Sequence, residues 1–172
     1  MIQVGIVGCS GYTAVEAMRW LIRHPKAEIS VATSRQGDGS QIAHMHPEFL
    51  ERLHVQVQDL SPEQIAKGCD VAFCCLPHAA SAPIVARILE AGTKVIDLSA
   101  DYRLSSVELY EQWYGGEHPD PSRVGNTPYG LPELFGEQIE GSSLVANPGC
   151  YPTSAILPLA PLLLDSLIEN ES

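Results

Sequence analysis

The sequence predicts an α/β fold with a Rossmann-like, doubly wound and mainly parallel sheet. Short runs rich in β-branched residues alternate with stretches of helical periodicity through the first half of the chain, a pattern typical of parallel strands joined by helices. The run 71–75 is almost entirely apolar, as expected of a strand that is buried on both faces. A glycine-rich segment follows the first predicted strand directly, at a place where such folds bind ligands.

Strands and helices follow one another in a regular order. The predicted strands are residues 2–7, 28–33, 71–75, 94–98 and 144–146. The predicted helices are residues 12–23, residues 79–91 and a helix that begins at residue 150. The first helix stops at His24-Pro25, because a residue before proline is driven out of the helical region. Residues 99–143 lack long periodicity, so we expect loops there that line a ligand crevice.

The charge balance excludes some classes of partner. Lys and Arg total 10 against 21 Asp and Glu, which gives the 172-residue chain a net charge of −11 at pH 7. A chain this acidic is not expected to bind nucleic acid or an anionic membrane through general electrostatics. An anionic substrate would therefore need a local cluster of positive groups.

Cysteine usage and the first residues predict a cytoplasmic protein. The five cysteines are an odd number, and Cys74 and Cys75 are adjacent within an apolar run, a pattern typical of a reducing compartment. Residues 1–8 lack the charged start and long apolar core of a signal peptide, and no apolar run reaches the ~18 residues of a membrane span. His44 and His46 have a spacing that a metal could use, but no third ligand is evident, so we predict a loop and no metal site.

The segment Gly8-Cys9-Ser10-Gly11-Tyr12-Thr13-Ala14 links the first strand to the first helix. Its pattern is GxxGxxA, a variant of the dinucleotide fingerprint in which glycines allow a tight turn and the pyrophosphate sits on the helix N-terminus. The strand–turn–helix context strengthens this interpretation. The predicted cofactor-binding residues here are Gly8, Ser10, Gly11, Tyr12 and Thr13.

The residues after the second strand favour NADP(H) over NAD(H). An NAD site has an acidic residue about 20 residues beyond the glycine motif to hold the ribose 2′-hydroxyl. Thr33-Ser34-Arg35-Gln36 occupies that place, where Ser34 can donate to a phosphate and Arg35 can clamp it. Arg35 could instead be a solvated loop residue. The nearest acid, Asp38, lies between two glycines and is expected to serve a turn.

Two further segments follow predicted strands and reach the same edge of the sheet. Leu76-Pro77-His78 is predicted to contact the cofactor, although His78 could instead cap the next helix. In Ser99-Ala100-Asp101-Tyr102-Arg103, we assign Ser99 to the cofactor site and Arg103 to an anionic group of the substrate. Asp101 could simply pair with Arg103. The segment Tyr129 to Leu134 is either a substrate-side loop or a packing turn.

A cysteine stands at a predicted helix start in Asn147-Pro148-Gly149-Cys150-Tyr151-Pro152-Thr153. Pro152 suits the first helical turn, where a missing N–H costs nothing. The unpaired backbone N–H groups and the helix dipole favour a thiolate at Cys150, the charge state that nucleophilic catalysis needs. The alternative is a small buried hydrophobic residue at a helix cap.

Together and in this order, these segments resemble N-acetyl-γ-glutamyl-phosphate reductase of arginine biosynthesis. The resemblance rests on Gly8 to Ala14, Thr33-Ser34-Arg35, Leu76-Pro77-His78, Asp97 to Leu104, Tyr129 to Leu134, and Ala146 to Thr153. The related aspartate-semialdehyde dehydrogenases share the architecture and an arginine at the place of Arg103. They lack the Pro-Gly-Cys-Tyr-Pro-Thr string around Cys150.

The resemblance implies a small-molecule acyl phosphate as substrate. Cys150 would form a thioester with N-acetylglutamyl 5-phosphate and expel phosphate, and NADPH would then reduce the thioester to N-acetylglutamate 5-semialdehyde. Arg103 would hold the leaving phosphate, and Asn147 is assigned to substrate binding. The family's acid–base histidine matches none of the histidines in this chain. It would lie beyond Ser172, so we expect this chain alone to be inactive.

The resemblance also divides the chain into two parts. Residues 1–149 would form the NADP-binding Rossmann domain. Residues 150–172 would carry the catalytic-cysteine helix and begin a truncated α+β substrate and dimerisation domain, so a homo-oligomer, dimer or tetramer, is expected at full length. Two other functions stay open: a reductase of a carrier-protein-linked aminoadipyl or glutamyl phosphate, and a fragment that binds NADP without catalysis.

Overall fold

The computed structural model describes residues 1–169 and contains a central seven-stranded sheet. The strands are β1 (Ile2–Val7), β2 (Ala27–Thr33), β3 (Asp38–Gln41), β4 (Gln56–Gln58), β5 (Val71–Cys74), β6 (Lys94–Asp97) and β7 (Leu144–Ala146). Their order across the sheet is β3-β4-β2-β1-β5-β6-β7. All neighbours pair in parallel except β3, which runs antiparallel to β4. The predicted Rossmann-like, mainly parallel α/β fold is confirmed.

Helices connect the strands. They are α1 (Tyr12–Leu21), α2 (Ile42–Met45), α3 (Pro62–Gly68), α4 (Ala82–Glu90), α5 (Val107–Tyr114), α6 (Pro132–Ile139) and α7 (Cys150–Leu164). Short 3₁₀ helices occupy Pro47–Phe49 and Pro121–Arg123. No helix within residues 1–169 is long and apolar enough to cross a membrane.

The sheet reverses its winding at β1, which pairs with β2 on one side and β5 on the other. The strands end level with one another: Val7 is in register with both Thr33 and Cys74. Farther along the sheet, Cys74 pairs with Asp97, and Asp97 pairs with Ala146. Because ligands of doubly wound folds bind where the strand order reverses, the residues just after these strand ends form the candidate site.

Two apolar clusters cover the sheet. Successive strand residues point to opposite faces, so Ile6 of β1 packs in one cluster and Val7 in the other. Met18 of α1 lies in the Ile6 cluster, and Val85 of α4 lies in the Val7 cluster. The two flanking helices therefore anchor the loops that precede them to a rigid core.

The structure corrects several details of the prediction. The second predicted helix begins at Ala82 rather than residue 79, because Ala79 has a positive φ of 62° that a helix cannot contain. The strand β5 is not buried on both faces, since Val71 and Phe73 are only half-buried. His44 lies in the short helix α2 and not in a loop. Residues 99–143, where loops were expected, also contain the helices α5 and α6.

The helix that carries Cys150 was predicted from its first residue, and α7 begins there. It continues through Pro158 and Pro161, ends at Leu164, and buries none of its side chains within the described residues. The division of the chain between residues 149 and 150 stays a prediction. Part of the second predicted domain, residues 170–172, lies outside the described residues.

Candidate active site

The loop between β1 and α1 is shaped for a close approach of a ligand to the backbone. Gly8 has a φ of +81°, and a Cβ there would lie 2.7 Å from Leu76 Cδ2. The backbone N–H groups of Gly8 and Cys9 donate to the Thr33 carbonyl oxygen at 3.0 and 2.8 Å. Only glycine fits this position without displacing Leu76, and the loop is held against the end of β2.

The N-terminus of α1 is open. Gly11 is its N-cap and supplies no side-chain hydrogen bond to the helix. A Cβ built on Gly11 would meet no atom within 4 Å, so the space in front of the first helical turn is free. Free backbone N–H groups and a helix dipole in an open space match the requirements of a bound pyrophosphate.

A cavity of about 320 Å³ opens beside this loop. Its lining residues are Gly8, Ser10, Ser34, Arg35, Gln36, Leu76, Pro77 and Ala80. The cavity thus brings together predicted cofactor residues from the ends of three strands. Ser34 accepts a hydrogen bond from the Gln36 N–H at 3.2 Å, and the Arg35 side chain is exposed at the rim. No acidic side chain is among these lining residues.

Other predicted cofactor residues lie outside that cavity. Tyr12 and Thr13, at the start of α1, line a larger apolar groove of about 620 Å³ together with Asn147. His78 is exposed and packs against Tyr114, with ring centroids 5.3 Å apart. Ser99 is buried, and its hydroxyl donates to Asp97 Oδ2 at 2.5 Å. The Ser99 side chain is therefore engaged inside the protein.

Asp97 is a buried carboxylate at the end of β6 that sequence reasoning did not single out. Its side chain is fully buried and accepts hydrogen bonds from the hydroxyls of Ser81 and Ser99, both at 2.5 Å. Burial raises the pKa of Asp97, although the two serine hydrogen bonds oppose this change. The available signal was the acid that interrupts the apolar run at residues 95–98.

Arg103 lies against the loop that precedes α7. Its Nε donates to the Asn147 carbonyl oxygen and its Nη2 to the Leu98 carbonyl oxygen, each at 2.8 Å. A Cβ built on Gly149 would be 3.2 Å from Arg103 Nη1. Asp101 does not pair with Arg103, because its carboxylate accepts from the backbone N–H groups of Ala79 and Ala82. The interpretation of Asp101 as an ion-pair partner is wrong.

Cys150 is the first residue of α7, after the N-cap Gly149. Gly149 supplies no side-chain cap, and its carbonyl oxygen accepts from Thr153 Oγ1 at 2.9 Å. Asn147, three residues earlier, donates its N–H to the Asp97 carbonyl oxygen at 2.8 Å. Cys150 is exposed, so the alternative of a small buried hydrophobic residue is wrong.

The other four cysteines are poorly suited to act as nucleophiles. Cys9, Cys69 and Cys74 are buried, and Cys75 is half-buried. Burial raises the pKa of the Cys9 and Cys69 thiols to about 11 and that of Cys75 to about 12. It raises the pKa of Cys74 well above the ordinary value. Since the thiolate is the reactive form, these four thiols are unreactive near neutral pH.

The segment 129–134 extends the sheet beside β7. The Gly130 N–H donates to the Ala146 carbonyl oxygen at 2.8 Å, and the Ala146 N–H donates to the Pro128 carbonyl oxygen at 3.0 Å. A Cβ on Gly130 would lie 2.8 Å from Val145 Cγ1. Of the two interpretations left open, these contacts favour a packing turn that supports the strand before the Cys150 loop.

Residues 3–142 match the family model described as "Semialdehyde dehydrogenase, NAD binding domain". The chain belongs to this family. Its cofactor is accordingly a nicotinamide dinucleotide, in agreement with the glycine loop and the open N-terminus of α1.

Curated relatives carry a more specific name. The N-acetyl-gamma-glutamyl-phosphate reductase of Rhodopirellula baltica is 53% identical over 170 residues, which is 99% of this chain and 49% of the relative. The enzyme of the same name from Methanopyrus kandleri is 46% identical over 171 residues, covering 98% of this chain and 50% of the relative. The resemblance predicted from the motifs is confirmed. The chain spans about half the length of the curated relatives that it matches.

Solved structures agree on the fold. The aspartate semialdehyde dehydrogenase of Francisella tularensis superposes with a TM-score of 0.67 at 19% identity, over 96% of this chain and 42% of that one. The Candida albicans enzyme, solved with NADP, gives a TM-score of 0.62 at 18% identity, over 95% of this chain and 47% of that one. These likenesses concern the architecture alone.

Proposed function

We propose that this chain supplies the cofactor site and the nucleophile of an NADPH-dependent acyl-phosphate reductase whose substrate is N-acetylglutamyl 5-phosphate. One observation carries the proposal: the exposed Cys150 and the cofactor cavity lie at the same edge of the sheet. Strand ends in register connect Val7, beside the cavity, to Ala146, four residues before Cys150. The substrate itself is proposed from the curated relatives.

Cys150 would act by nucleophilic attack. Its thiolate attacks the carbonyl carbon of the acyl phosphate, the bond from that carbon to the phosphate oxygen breaks, and a thioester and inorganic phosphate result. When bound, the reduced nicotinamide supplies a hydride to the thioester carbonyl carbon. The resulting thiohemiacetal anion expels the Cys150 thiolate and releases the semialdehyde. Backbone N–H groups in the first turn of α7 would stabilise the negatively charged oxygen in both steps.

Arg103 and Asn147 would serve the substrate. Two nitrogens of the Arg103 guanidinium hold backbone carbonyl oxygens, while Nη1 faces Gly149 beside the nucleophile. The positive charge there suits the leaving phosphate in an otherwise acidic chain. The Asn147 side-chain amide donates to the Pro148 carbonyl oxygen at 3.0 Å, so its amide oxygen is available to accept from the substrate.

Preference for NADP(H) is part of the proposal. Ser34 and Arg35 border the cavity at the end of β2, where an NAD site needs an acid, and the lining residues contain none. Arg35 can bind a 2′-phosphate through two parallel hydrogen bonds. A homo-oligomeric assembly, a cytoplasmic location and the roles of Tyr12, Thr13, His78 and Ser99 at the cofactor stay predictions.

The proposal is tested with this chain in two steps. Titration with NADPH and NADH, followed by fluorescence, should show tighter binding of NADPH. Incubation with N-acetylglutamyl phosphate should then acylate Cys150, as detected by intact mass and peptide mapping. Acylation is a single half-reaction, so it can be seen in a chain that is expected to be inactive in turnover. Cys150→Ser is the matched control and should stay unmodified, and acetyl phosphate is the comparison substrate.

Three results would count against the proposal. Acylation of another cysteine at the same rate would remove Cys150 from its role. Equal acylation by acetyl phosphate would show chemical reactivity without recognition of the N-acetylglutamyl group. Binding of NADPH with no acylation at all would favour the non-catalytic alternative.

A further inference from the structure

Asp101 connects two loops of the candidate site. It follows β6 in the chain, and its side chain is fully buried. Its Oδ1 accepts from the Ala79 N–H at 2.7 Å, and its Oδ2 accepts from the Ala82 N–H at 2.9 Å. Ala79 lies in the turn between β5 and α4, and Ala82 is the first residue of α4. One carboxylate therefore connects the loop after β6 to both the turn after β5 and the start of α4.

Asp101 is itself held in place by its neighbours. Tyr110 donates its hydroxyl to Oδ1 at 3.3 Å. The backbone N–H of Asp101 donates to Ser99 Oγ at 3.1 Å, and its carbonyl oxygen lies 2.9 Å from His118 Nε2. His118 Nδ1 accepts from the Asp120 N–H at 2.9 Å, so the imidazole proton is on Nε2 and is donated to Asp101. These contacts hold the Asp101 carboxylate in one position beside the turn.

The turn needs such support because its backbone is strained. Ala79 has a φ of 62°, in the left-handed region that favours glycine. Alanine persists in that conformation only where its surroundings over-determine it. The Asp101 carboxylate, which accepts the Ala79 N–H itself, is the contact that fixes this residue.

The same turn forms one wall of the cofactor cavity. Leu76, Pro77 and Ala80 are lining residues, and Leu76 also lies against Gly8 in the loop between β1 and α1. A change in the conformation of Ala79 would move Pro77 and Ala80 and alter the shape of the cavity. If only a fraction of the molecules has the shape that binds the ligand, the apparent affinity falls in proportion to that fraction.

We propose that Asp101 is a positioning residue for the cofactor, which acts by holding the strained turn at Ala79 in the shape that the dinucleotide needs. The inference rests on the proposed cofactor site. It assigns Asp101 neither a contact with substrate nor a proton transfer. Its effect passes through the backbone N–H groups of Ala79 and Ala82.

A double-mutant cycle with NADPH as the probe tests the inference. Asp101→Asn replaces one carboxylate oxygen by an NH₂ group, which cannot accept a hydrogen bond from a backbone N–H. One backbone donor then loses its partner, and NADPH binding should weaken about tenfold. Ala79→Gly alone should change the dissociation constant less than about twofold, because Asp101 already holds the turn. The double variant should recover at least about threefold of the loss, because glycine adopts the left-handed conformation without strain.

Asp120→Asn is the matched control. Asp120 is also a buried carboxylate, and it accepts from Tyr102, Ser122 and Arg123 rather than from the turn. Its substitution should lower the melting temperature while leaving NADPH binding within about twofold. Equal loss of NADPH affinity in the Asp120 and Asp101 variants, or no rescue by Ala79→Gly, would overturn the positioning role.

A measurement on the unmodified chain covers the case in which Asp101→Asn does not fold. The Ala79 amide is in an exposed residue, yet its hydrogen bond to Asp101 should slow its exchange well below that of the neighbouring His78 amide. Equal exchange rates at Ala79 and His78 would overturn the inference. Failure of the unmodified chain to bind NADPH would contradict the proposed function instead, whatever the exchange rates show.

Discussion

The Nε atom of Arg103 donates to the carbonyl oxygen of Asn147 at 2.8 Å, across 44 residues of sequence. The same guanidinium donates to the Leu98 carbonyl oxygen from Nη2. It therefore fixes the start of the Cys150 loop to the end of β6. This geometry requires a planar group with two parallel donors, which arginine has and lysine lacks.

Arg103→Lys should make the loop before Cys150, residues 147–149, less rigid. A lysine leaves one of the two carbonyl oxygens unmet, so we expect the free energy of unfolding to fall by about 1–3 kcal/mol. Amide exchange across residues 147–153 should quicken. Urea unfolding and exchange mass spectrometry measure both effects. Arg123→Lys is the control, since Arg123 donates from Nη1 to the Asp120 carboxylate and a lysine can replace that contact. Equal losses of stability in the two variants would show that the two carbonyl contacts of Arg103 have no special role.

Arg35→Ala should weaken NADPH binding by roughly 1–3 kcal/mol and leave NADH binding nearly unchanged, because only NADPH has the 2′-phosphate. Calorimetric titration of both cofactors gives the comparison. Arg52→Ala removes an exposed arginine that does not line the cavity and corrects for the change in net charge. If both cofactors lose the same affinity in the Arg35 variant, Arg35 does not discriminate between them.

Cys150 should be the first thiol to react with limiting iodoacetamide at about pH 8, because the other four cysteines combine burial with a raised pKa. Peptide mapping after short exposure identifies the labelled residue. A Cys150→Ser variant should take up almost no label until it is unfolded. Earlier labelling of the half-buried Cys75 would show that exposure at the helix start is not decisive.

Asp97 should make the protein less stable as pH rises above the pKa of a free aspartate. Burial raises its pKa above the value of 3.8 for a free aspartate, so the folded chain binds a proton that the unfolded chain has released. Stability is then highest below the unfolded pKa and falls as pH rises through the folded pKa. Asp97→Asn does not titrate, so its stability relative to the wild type should improve from about pH 4 upward. Urea unfolding at several pH values measures the difference, and parallel curves would disprove the expectation.

Local signals predicted the central strands and the glycine loop. The strand 144–146 and the start of α7 at Cys150 were predicted to the residue, since apolar runs and a Pro-Gly turn bound them. The helix α3 was missed although its start carries a capping box, in which Ser61 and Gln64 bond reciprocally. Its seven residues are too few to show a clear helical period.

The contacts that organise the site could not be predicted from the sequence. Asp101 lies 22 residues from Ala79 and 19 from Ala82, and only the parallel pairing of β5 with β6 brings them together. The sequence also contained no indication of the positive φ of Ala79, because alanine has a high helix propensity and predicts a helix at that position. Sequence patterns identified the residue types that chemistry needs, while the hydrogen bonds that hold them depend on strand order.

The aligned ends of the strands set the distance that a bound cofactor would have to span. From β2, which ends beside Ser34, to β7, which ends before Asn147, the sheet has β1, β5 and β6 in between. Adjacent strands are about 4.8 Å apart, so the two ends of the site are separated by about 19 Å. A nucleotide anchored at Ser34 must be extended along the whole edge to bring its reactive end to Cys150. A mononucleotide would be too short to occupy both ends, so on the proposed site the width of the sheet favours a dinucleotide.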